Sequence, residues 1–188
     1  NASVDGYEQE VSKFRNAITQ CQNTNGWFYP ECVRMQLESL AGMLADDQLD
    51  KFCSRYGSLA PKDKTVRVIA AGNIPLVCFH DIMCVAMSGC RLSLKLSGKD
   101  SLLPSLTIST LKAICPELSG RIETEDGAPA RFDAIIATGS DNTSRYFDYY
   151  FAKYPHIIRH GRSSVAVLAG NESSSDYAAL ANDIFAFY

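Results

Sequence analysis

The sequence has 188 residues, enough for one domain with a substantial core and a small appendage. Its hydrophobic content of 46%, charged content of 21% and formal net charge of −3 are typical of a soluble globular protein. This charge offers no general attraction to nucleic acid or to an anionic membrane, and no apolar run is long enough to span a bilayer. No secretory signal opens the sequence, so we expect a cytoplasmic protein.

The first sixty residues carry apolar side chains at helical spacing. The pattern predicts a first helix over Glu8–Cys21, and Pro30 suits the first turn of a second helix. Asp46 begins a third helix. Turn-forming and charged residues over Gly57–Lys64 then predict a linker. We therefore expect a helical segment over residues 1–64, followed by a second domain over residues 65–188.

From Thr65 onwards the pattern changes to alternating strands and helices. Such alternation predicts parallel pairing, right-handed crossovers and a doubly wound α/β sheet. The predicted strands are Val66–Ala70, Arg91–Leu96, Arg121–Glu123, Ala134–Ala137, Ile157–Ile158 and Val165–Leu168. The predicted helices are Leu76–Met87, Leu103–Cys115, one capped by Ser140 or Asp141 that ends near Lys153, and a last one capped by Ser175 or Asp176.

Polar residues follow three of these strands. Asn73, Lys95 and Ser140 each stand where an apolar run gives way to small or polar residues. Buried parallel strands have this form where their carboxyl ends open onto a binding crevice. We therefore expect these three residues at one edge of one sheet, in a nucleotide site.

Each of these positions has two interpretations. Thr138, Gly139 and Ser140 connect a strand to a helix, where free N–H groups suit a phosphate, or where Ser140 simply caps the helix. Asn73 could donate a hydrogen bond to an oxyanion, or it could be an ordinary turn residue.

The region after the second strand bears on the choice of cofactor. Lys95 could extend to solvent from the strand end, or it could reach a ribose or a phosphate. Ser97 and Lys99 add further donors, and no carboxylate occurs before Asp100. Sites selective for NAD usually offer an acid to the ribose, whereas NADP needs neutral or positive donors, so the pattern favours NADP(H).

The sequence contains seven cysteines, and none forms a Cys-x-x-Cys pair. We interpret them as free thiols of a reducing compartment, and we expect no metal site. His156 and His160 flank a predicted strand, where residues four apart are separated by about 13 Å. This separation argues against a metal-binding histidine pair.

Four segments, taken in order, resemble the aldehyde dehydrogenase superfamily, and within it the bioluminescence-type acyl-CoA (fatty-acyl) reductases. They are Gly72-Asn-Ile-Pro75, Ser88-Gly-Cys-Arg-Leu-Ser-Leu-Lys95, Ala137-Thr-Gly-Ser140 and Arg159-His-Gly-Arg-Ser-Ser-Val-Ala-Val-Leu168, and the resemblance covers Val66 to Tyr188. It implies a Rossmann-like parallel sheet of the aldehyde dehydrogenase type. It also implies that Asn73 is the oxyanion-hole amide, that Lys95 holds the adenosine ribose, and that Thr138, Gly139 and Ser140 flank the pyrophosphate and nicotinamide.

The sequence departs from that family in two ways. The segment that matches the family's Glu-Leu-Gly-Gly is Arg159-His-Gly-Arg162, which lacks the general-base glutamate used to hydrolyse a thioester. This absence favours acyl reduction over aldehyde oxidation. The family's nucleophilic cysteine also has no counterpart among the seven cysteines, and the sequence ends inside an apolar helical pattern. We therefore expect the nucleophile beyond Tyr188 and no reductase turnover by these 188 residues alone.

The resemblance implies a full-length enzyme that uses NADPH to reduce an acyl-CoA or acyl-carrier thioester to an aldehyde. Two alternatives stay open: an acyl-phosphate reductase of the same superfamily, and a non-catalytic nucleotide-binding module. We expect a homo-oligomer, with no nucleic-acid partner and no membrane span.

Overall fold

The structure of this chain is a computed structural model, and it describes residues 6–56, 63–125 and 131–187. The helices are α1 (Glu8–Thr24), α2 (Pro30–Met43), α3 (Asp46–Cys53), α4 (Phe79–Met87), α5 (Leu102–Ile114), α6 (Asp141–Phe151) and α7 (Ser174–Phe185), with a 3-10 turn at Pro116–Leu118. The strands are β1 (Thr65–Ile69), β2 (Arg91–Lys95), β3 (Ile122–Thr124), β4 (Ala134–Thr138) and β5 (His156–Arg159).

The strands form one sheet in the order β3-β2-β1-β4-β5, and every neighbouring pair is parallel. The chain therefore builds outwards from β1 to β3, returns to the centre, and builds outwards again through β4 and β5. The reversal lies between β1 and β4, where ligands bind in open sheets of this kind. The predicted doubly wound α/β fold is confirmed.

Apolar runs in the strands and an apolar helix face form the core of the sheet. Val68, Leu92 and Leu94 are almost fully buried, and they pack with Ile82 of α4 and Ile108 of α5. These strands read as continuous apolar runs because parallel strands are covered by helices on their faces. The helices in turn position the loops that leave the carboxyl ends of β1 and β2.

The N-terminal helices form a second core against the strand–helix region. Cys21 of α1 and Val33 of α2 are buried together with Leu76, Phe79 and Leu103. Pro30 occupies the first turn of α2, as predicted. This packing brings α1 next to the loop that follows β1, so the helical segment contributes to the same end of the molecule.

Besides shifts of one to three residues at the ends of other elements, three differences from the prediction concern the start of a helix, a helix cap and a missing strand. Helix α4 begins at Phe79 rather than Leu76, because Leu76 lies in a turn with a φ of 54°. Helix α7 is capped by Ser173, whose side chain accepts a hydrogen bond from the Asp176 N–H, rather than by Ser175 or Asp176. The segment 165–168 forms no strand, and Val165 is 90% exposed.

Some predictions fall on residues that the structure leaves out. Residues 57–62 of the predicted linker Gly57–Lys64 lie outside the described residues, as does Tyr188. The boundary between residues 64 and 65 therefore stays a prediction. None of the helices in the described ranges has the length and apolarity that a membrane crossing requires.

Candidate functional site

The carboxyl ends of β1, β2 and β4 lie side by side at one edge of the sheet. Lys95 is the last residue of β2 and pairs in register with Ile69, the last residue of β1. The Ala70 N–H extends this pairing by donating to the Lys95 carbonyl oxygen at 3.0 Å. Asn73 and Ser140 follow β1 and β4 at the same edge. The structure thus brings the three predicted residues to one side of the sheet, while their binding roles stay predictions.

The loop after β2 presents two lysine side chains to solvent. Lys95 and Lys99 are exposed, and neither ammonium group has an ion-pair partner among the residues of the described ranges. The Ser97 hydroxyl accepts a hydrogen bond from the Lys99 N–H at 3.2 Å, which stabilises the turn. A methyl group added at Gly98 would meet no atom within 4 Å. The loop therefore has open space and uncompensated positive charge, as a phosphate site requires.

Asp100 supplies the first carboxylate after these lysines, and it does not face the solvent. It is 3% exposed, and its Oδ2 accepts a hydrogen bond from the Leu76 N–H at 2.6 Å. Its negative charge is therefore directed towards the turn after β1 rather than towards a ligand on the loop. The local electrostatics of the loop remain positive.

Asn73 lies on an exposed turn between β1 and α4. Its side-chain amide makes no hydrogen bond within the described part of the chain, whereas the backbone on either side is held in place. The Asn25 Nδ2 donates to the Gly72 carbonyl oxygen at 3.4 Å, and Asp100 holds Leu76. The turn therefore presents a free amide from a fixed backbone, which is what an oxyanion donor needs.

The N-terminus of α6 is already occupied by groups of the protein itself. The Ser140 hydroxyl accepts a hydrogen bond from the Thr143 N–H at 3.4 Å, as a helix cap does. Asp141 adds a carboxylate in the first turn, and its Oδ1 accepts the Gly161 N–H at 2.9 Å. A methyl group added at Gly139 would lie 3.0 Å from the Thr143 side chain. Gly139 is thus explained by packing, and the geometry around Ser140 favours the cap interpretation.

A cavity of about 220 Å³ opens between the ends of the central strands and α4. Its lining consists of Ala70, Ala71, Val77, Cys78, His80, Asp81, Thr138 and Arg159. Arg159 donates from Nη1 to the Asp81 Oδ2 at 2.6 Å, which joins the end of β5 to the first turn of α4. The guanidinium is partly exposed and Asp81 is buried, so this ion pair forms one wall of the cavity.

Sequence reasoning missed Asp81 and the inward orientation of Asp100. An acid within the apolar sequence Phe79-His-Asp-Ile-Met83 was a usable signal, because buried carboxylates require a partner. The partner Arg159 lies 78 positions away, and no local pattern predicts that pairing.

Cys78, which lines this cavity, and two further cysteines are held as thiols. Burial, reinforced by the charge of Asp100, raises the pKa of Cys78 to about 12. The same two causes raise the pKa of Cys21 to about 11. Burial also raises the pKa of Cys84. A nucleophilic cysteine needs the opposite shift, so none of these three is suited to covalent catalysis.

A second cavity, of about 290 Å³, lies between α3 and α4. It is larger than the cavity at the sheet edge, but its lining includes Met43, Leu49, Phe52, Met83 and Met87, none of which belongs to the sheet edge. Most of its lining therefore comes from α3, α4 and the end of α2 rather than from the ends of the strands. No group of three or more potential metal ligands occurs within the described ranges.

Comparison with known proteins identifies a similar fold. No protein-family model and no curated protein matches the sequence. Among solved structures, the chain is similar to the protein assigned as the aldehyde dehydrogenase PutA of Anabaena variabilis, with 19% identity and a TM-score of 0.55. The likeness covers 85% of this chain and 40% of that chain, so this chain spans less than half of its length. The shared fold agrees with the aldehyde dehydrogenase-type sheet predicted from the sequence.

Proposed function

We propose that this chain is the nucleotide-binding part of an oxidoreductase that uses NADPH to reduce an acyl thioester, carried by coenzyme A or an acyl carrier, to an aldehyde. The observation that supports it most is the pair of exposed, unpaired lysines at the carboxyl end of β2, with the nearest carboxylate of that loop, Asp100, turned inwards. This arrangement suits the 2′-phosphate of NADP better than the free ribose hydroxyls of NAD.

The residues of this chain have separate tasks in the proposed reaction. Lys95, Ser97 and Lys99 hold the adenosine end of the cofactor, and Thr138 lines the cavity in which the reacting end would lie. The free amide of Asn73 donates to the oxyanion of the acyl group. When bound, NADPH supplies the hydride.

The proposed chemistry also requires a thiolate. The thiolate attacks the acyl carbonyl carbon and expels the carrier thiolate, which leaves an enzyme thioester. Hydride addition to that thioester releases the aldehyde and restores the enzyme thiolate. Burial raises the pKa values of Cys21, Cys78 and Cys84, so none of these three thiols is suited to supply that thiolate.

Cofactor titration tests the proposal directly. We expect the 188-residue chain to bind NADPH more tightly than NADH, measured by nucleotide fluorescence or calorimetry. Lys99→Glu should weaken NADPH binding about tenfold, a loss of about 1.4 kcal/mol, and leave NADH binding nearly unchanged. Lys153→Glu makes the same charge change on an exposed residue that precedes β5, at the opposite edge of the sheet, and should have no effect. Equal affinity for both nucleotides, unchanged by Lys99→Glu, would contradict the proposal.

A non-catalytic nucleotide-binding module is the second candidate, and the raised thiol pKa values favour it. An acyl-phosphate reductase differs from the main proposal only in its substrate. Assays of the full-length protein with an acyl-CoA and with an acyl phosphate separate the three candidates. Aldehyde from the first substrate supports our proposal, aldehyde from the second alone supports the acyl-phosphate reductase, and no aldehyde with intact NADPH binding supports the module.

A further inference from the structure

The turn after β1 contains an unusual backbone conformation. Leu76 has a φ of 54°, the left-handed region that side chains other than glycine rarely adopt, and no other non-glycine residue in the described ranges has a positive φ. Such a conformation persists when the surroundings determine it and often occurs at functional sites. The hydrogen bond from the Leu76 N–H to the buried Asp100 carboxylate is the contact that determines it here.

The same turn is also fixed against the loop after β2 by close packing. A methyl group added at Gly72 would lie 2.5 Å from the Ser97 Oγ and 3.0 Å from the Asp100 nitrogen. The two loops therefore touch through backbone and short side chains, with no room between them. Asn73 is the residue that follows this contact.

We infer that Asp100 is a positioning residue, which holds the Asn73 turn against the Ser97–Lys99 loop and so couples nucleotide binding on that loop to the placement of the Asn73 amide. Asp100 is continuous with the loop through Lys99, and it contacts the turn through Leu76. Displacement of the loop by a bound phosphate would therefore move the turn. The functional meaning of this coupling rests on the proposed function, but the contact itself does not.

The charge on Asp100 depends on its surroundings. Burial raises its pKa to about 6, and the hydrogen bond from Leu76 opposes that rise. Cys21 of α1 and Cys78 at the start of α4 lie close enough to feel its charge, and both have pKa values raised far above this range. Lys99 is the charged residue beside it in the loop. Asp100 is therefore the group in this cluster that changes protonation near pH 6.

The inference is tested by nuclear magnetic resonance on the 188-residue chain. We expect the Leu76 amide resonance to titrate with a midpoint near pH 6, and the Gly72 amide and Asn73 side-chain resonances to move with the same midpoint. Asp100→Asn should abolish these titrations, whereas Asp50→Asn, a matched change on an exposed residue of α3, should leave them intact. Asp100→Glu serves as the second variant if Asp100→Asn does not fold, and it should shift the midpoint.

NADPH binding distinguishes a positioning role of Asp100 from a purely structural one, because a purely structural role would not affect NADPH affinity. At pH 7.5, saturating NADPH should shift the Leu76 and Asn73 resonances, and Asp100→Asn should weaken NADPH binding about tenfold, within the usual range of coupling between sites. If the Leu76 amide resonance titrates but NADPH does not bind, the contact between Leu76 and Asp100 is supported and the proposed function is contradicted. NADPH binding that depends on Lys99 but leaves Leu76 unmoved, or a Leu76 resonance that is flat from pH 5 to 8, would overturn the inference.

Discussion

Asp100 shows how a single residue can oppose the stability of the fold that contains it. Its carboxylate is 3% exposed and has one backbone amide as its donor, so the ionised form loses more hydration than it regains. The raised pKa of about 6 expresses this net cost. Residues that carry such a cost are often retained for function, which agrees with the role we infer for the Asn73 turn.

The unfolding free energy should therefore depend on the ionisation of Asp100. Its pKa is about 6 in the folded chain and about 3.9 in the unfolded chain, so the folded state binds the proton more tightly. This contribution to stability is present below about pH 4 and is lost as the pH rises to about 6, a difference of roughly 3 kcal/mol. Urea denaturation at several pH values between about 4 and 6 measures the unfolding free energies of wild type and Asp100→Asn. The difference between these two free energies should change across this range by up to roughly 3 kcal/mol.

Asp133 provides a control, because folding shifts its pKa in the opposite direction to that of Asp100. The hydrogen bond from Lys64 lowers the pKa of Asp133, so its contribution is present at neutral pH and is lost as the pH falls through its folded pKa. The difference in unfolding free energy between wild type and Asp133→Asn should therefore change with pH in the opposite direction to the difference for Asp100→Asn. Slopes of the same sign for both variants would contradict the assignment for Asp100.

Gly72 offers a second test at the level of one residue. Gly72→Ala should destabilise the chain by about 1–3 kcal/mol, because the added methyl group would lie 2.5 Å from the Ser97 Oγ and must displace the loop. Gly98→Ala, in the adjacent loop, meets no atom within 4 Å and should change the unfolding free energy little. Both changes can be measured by urea denaturation. A neutral Gly72→Ala would show that the two loops are not in close contact.

At the scale of the elements, the ion pair between Asp81 and Arg159 connects α4 to the end of β5. Removing only Arg159 leaves a buried carboxylate without its partner, whereas removing both groups leaves none. Arg159→Leu should therefore cost about 1–3 kcal/mol, a value reduced because the guanidinium is 30% exposed. The double variant Asp81→Leu/Arg159→Leu should recover part of the loss. Additive losses in thermal or urea denaturation would contradict the coupling.

The elements themselves could largely be predicted from the sequence. Apolar runs such as Ala134–Thr138 and helical spacing such as that of α1 are local properties, and the predicted strands and helices there match the structure. The start of α4 could not be predicted, because the conformation of Leu76 depends on Asp100, which lies 24 positions further along the chain. The segment 165–168 was predicted as a strand from its composition, but a strand also needs a partner, and composition does not supply one.

The candidate site could be predicted in part for the same reason. The positions of Asn73, Lys95 and Ser140 follow from where strands end, since parallel strands place those ends at a common edge. The contacts of Asp81 and Asp100 depend on tertiary packing, and the sequence around them did not reveal them. Local sequence patterns therefore predict which residues lie at the edge of the sheet. The orientation of the charged side chains at that edge depends on tertiary packing.

At the scale of the whole molecule, large apolar side chains lie in solvent at one end of the chain. Val165 and Val167 are 90% and 88% exposed, and Ile184 and Phe185 of α7 are also exposed. Cys32 of α2 donates from its thiol to the carbonyl oxygen of Ala186, just past the end of α7, at 3.4 Å. Exposed apolar surface favours association between molecules.

We therefore expect the 188-residue chain to associate in a concentration-dependent way, as the sequence also led us to predict. Sedimentation velocity or light scattering over a range of concentrations should show dimers or larger species. Val165→Lys/Val167→Lys should shift the population towards monomer, because two charges placed in that surface must be desolvated on contact. Tyr149→Lys changes an 80% exposed aromatic residue on α6 and should leave association unchanged, which separates a local contact from a general effect of added charge. A monomer at every concentration, or an equal effect of both variants, would show that residues 165–168 do not drive association.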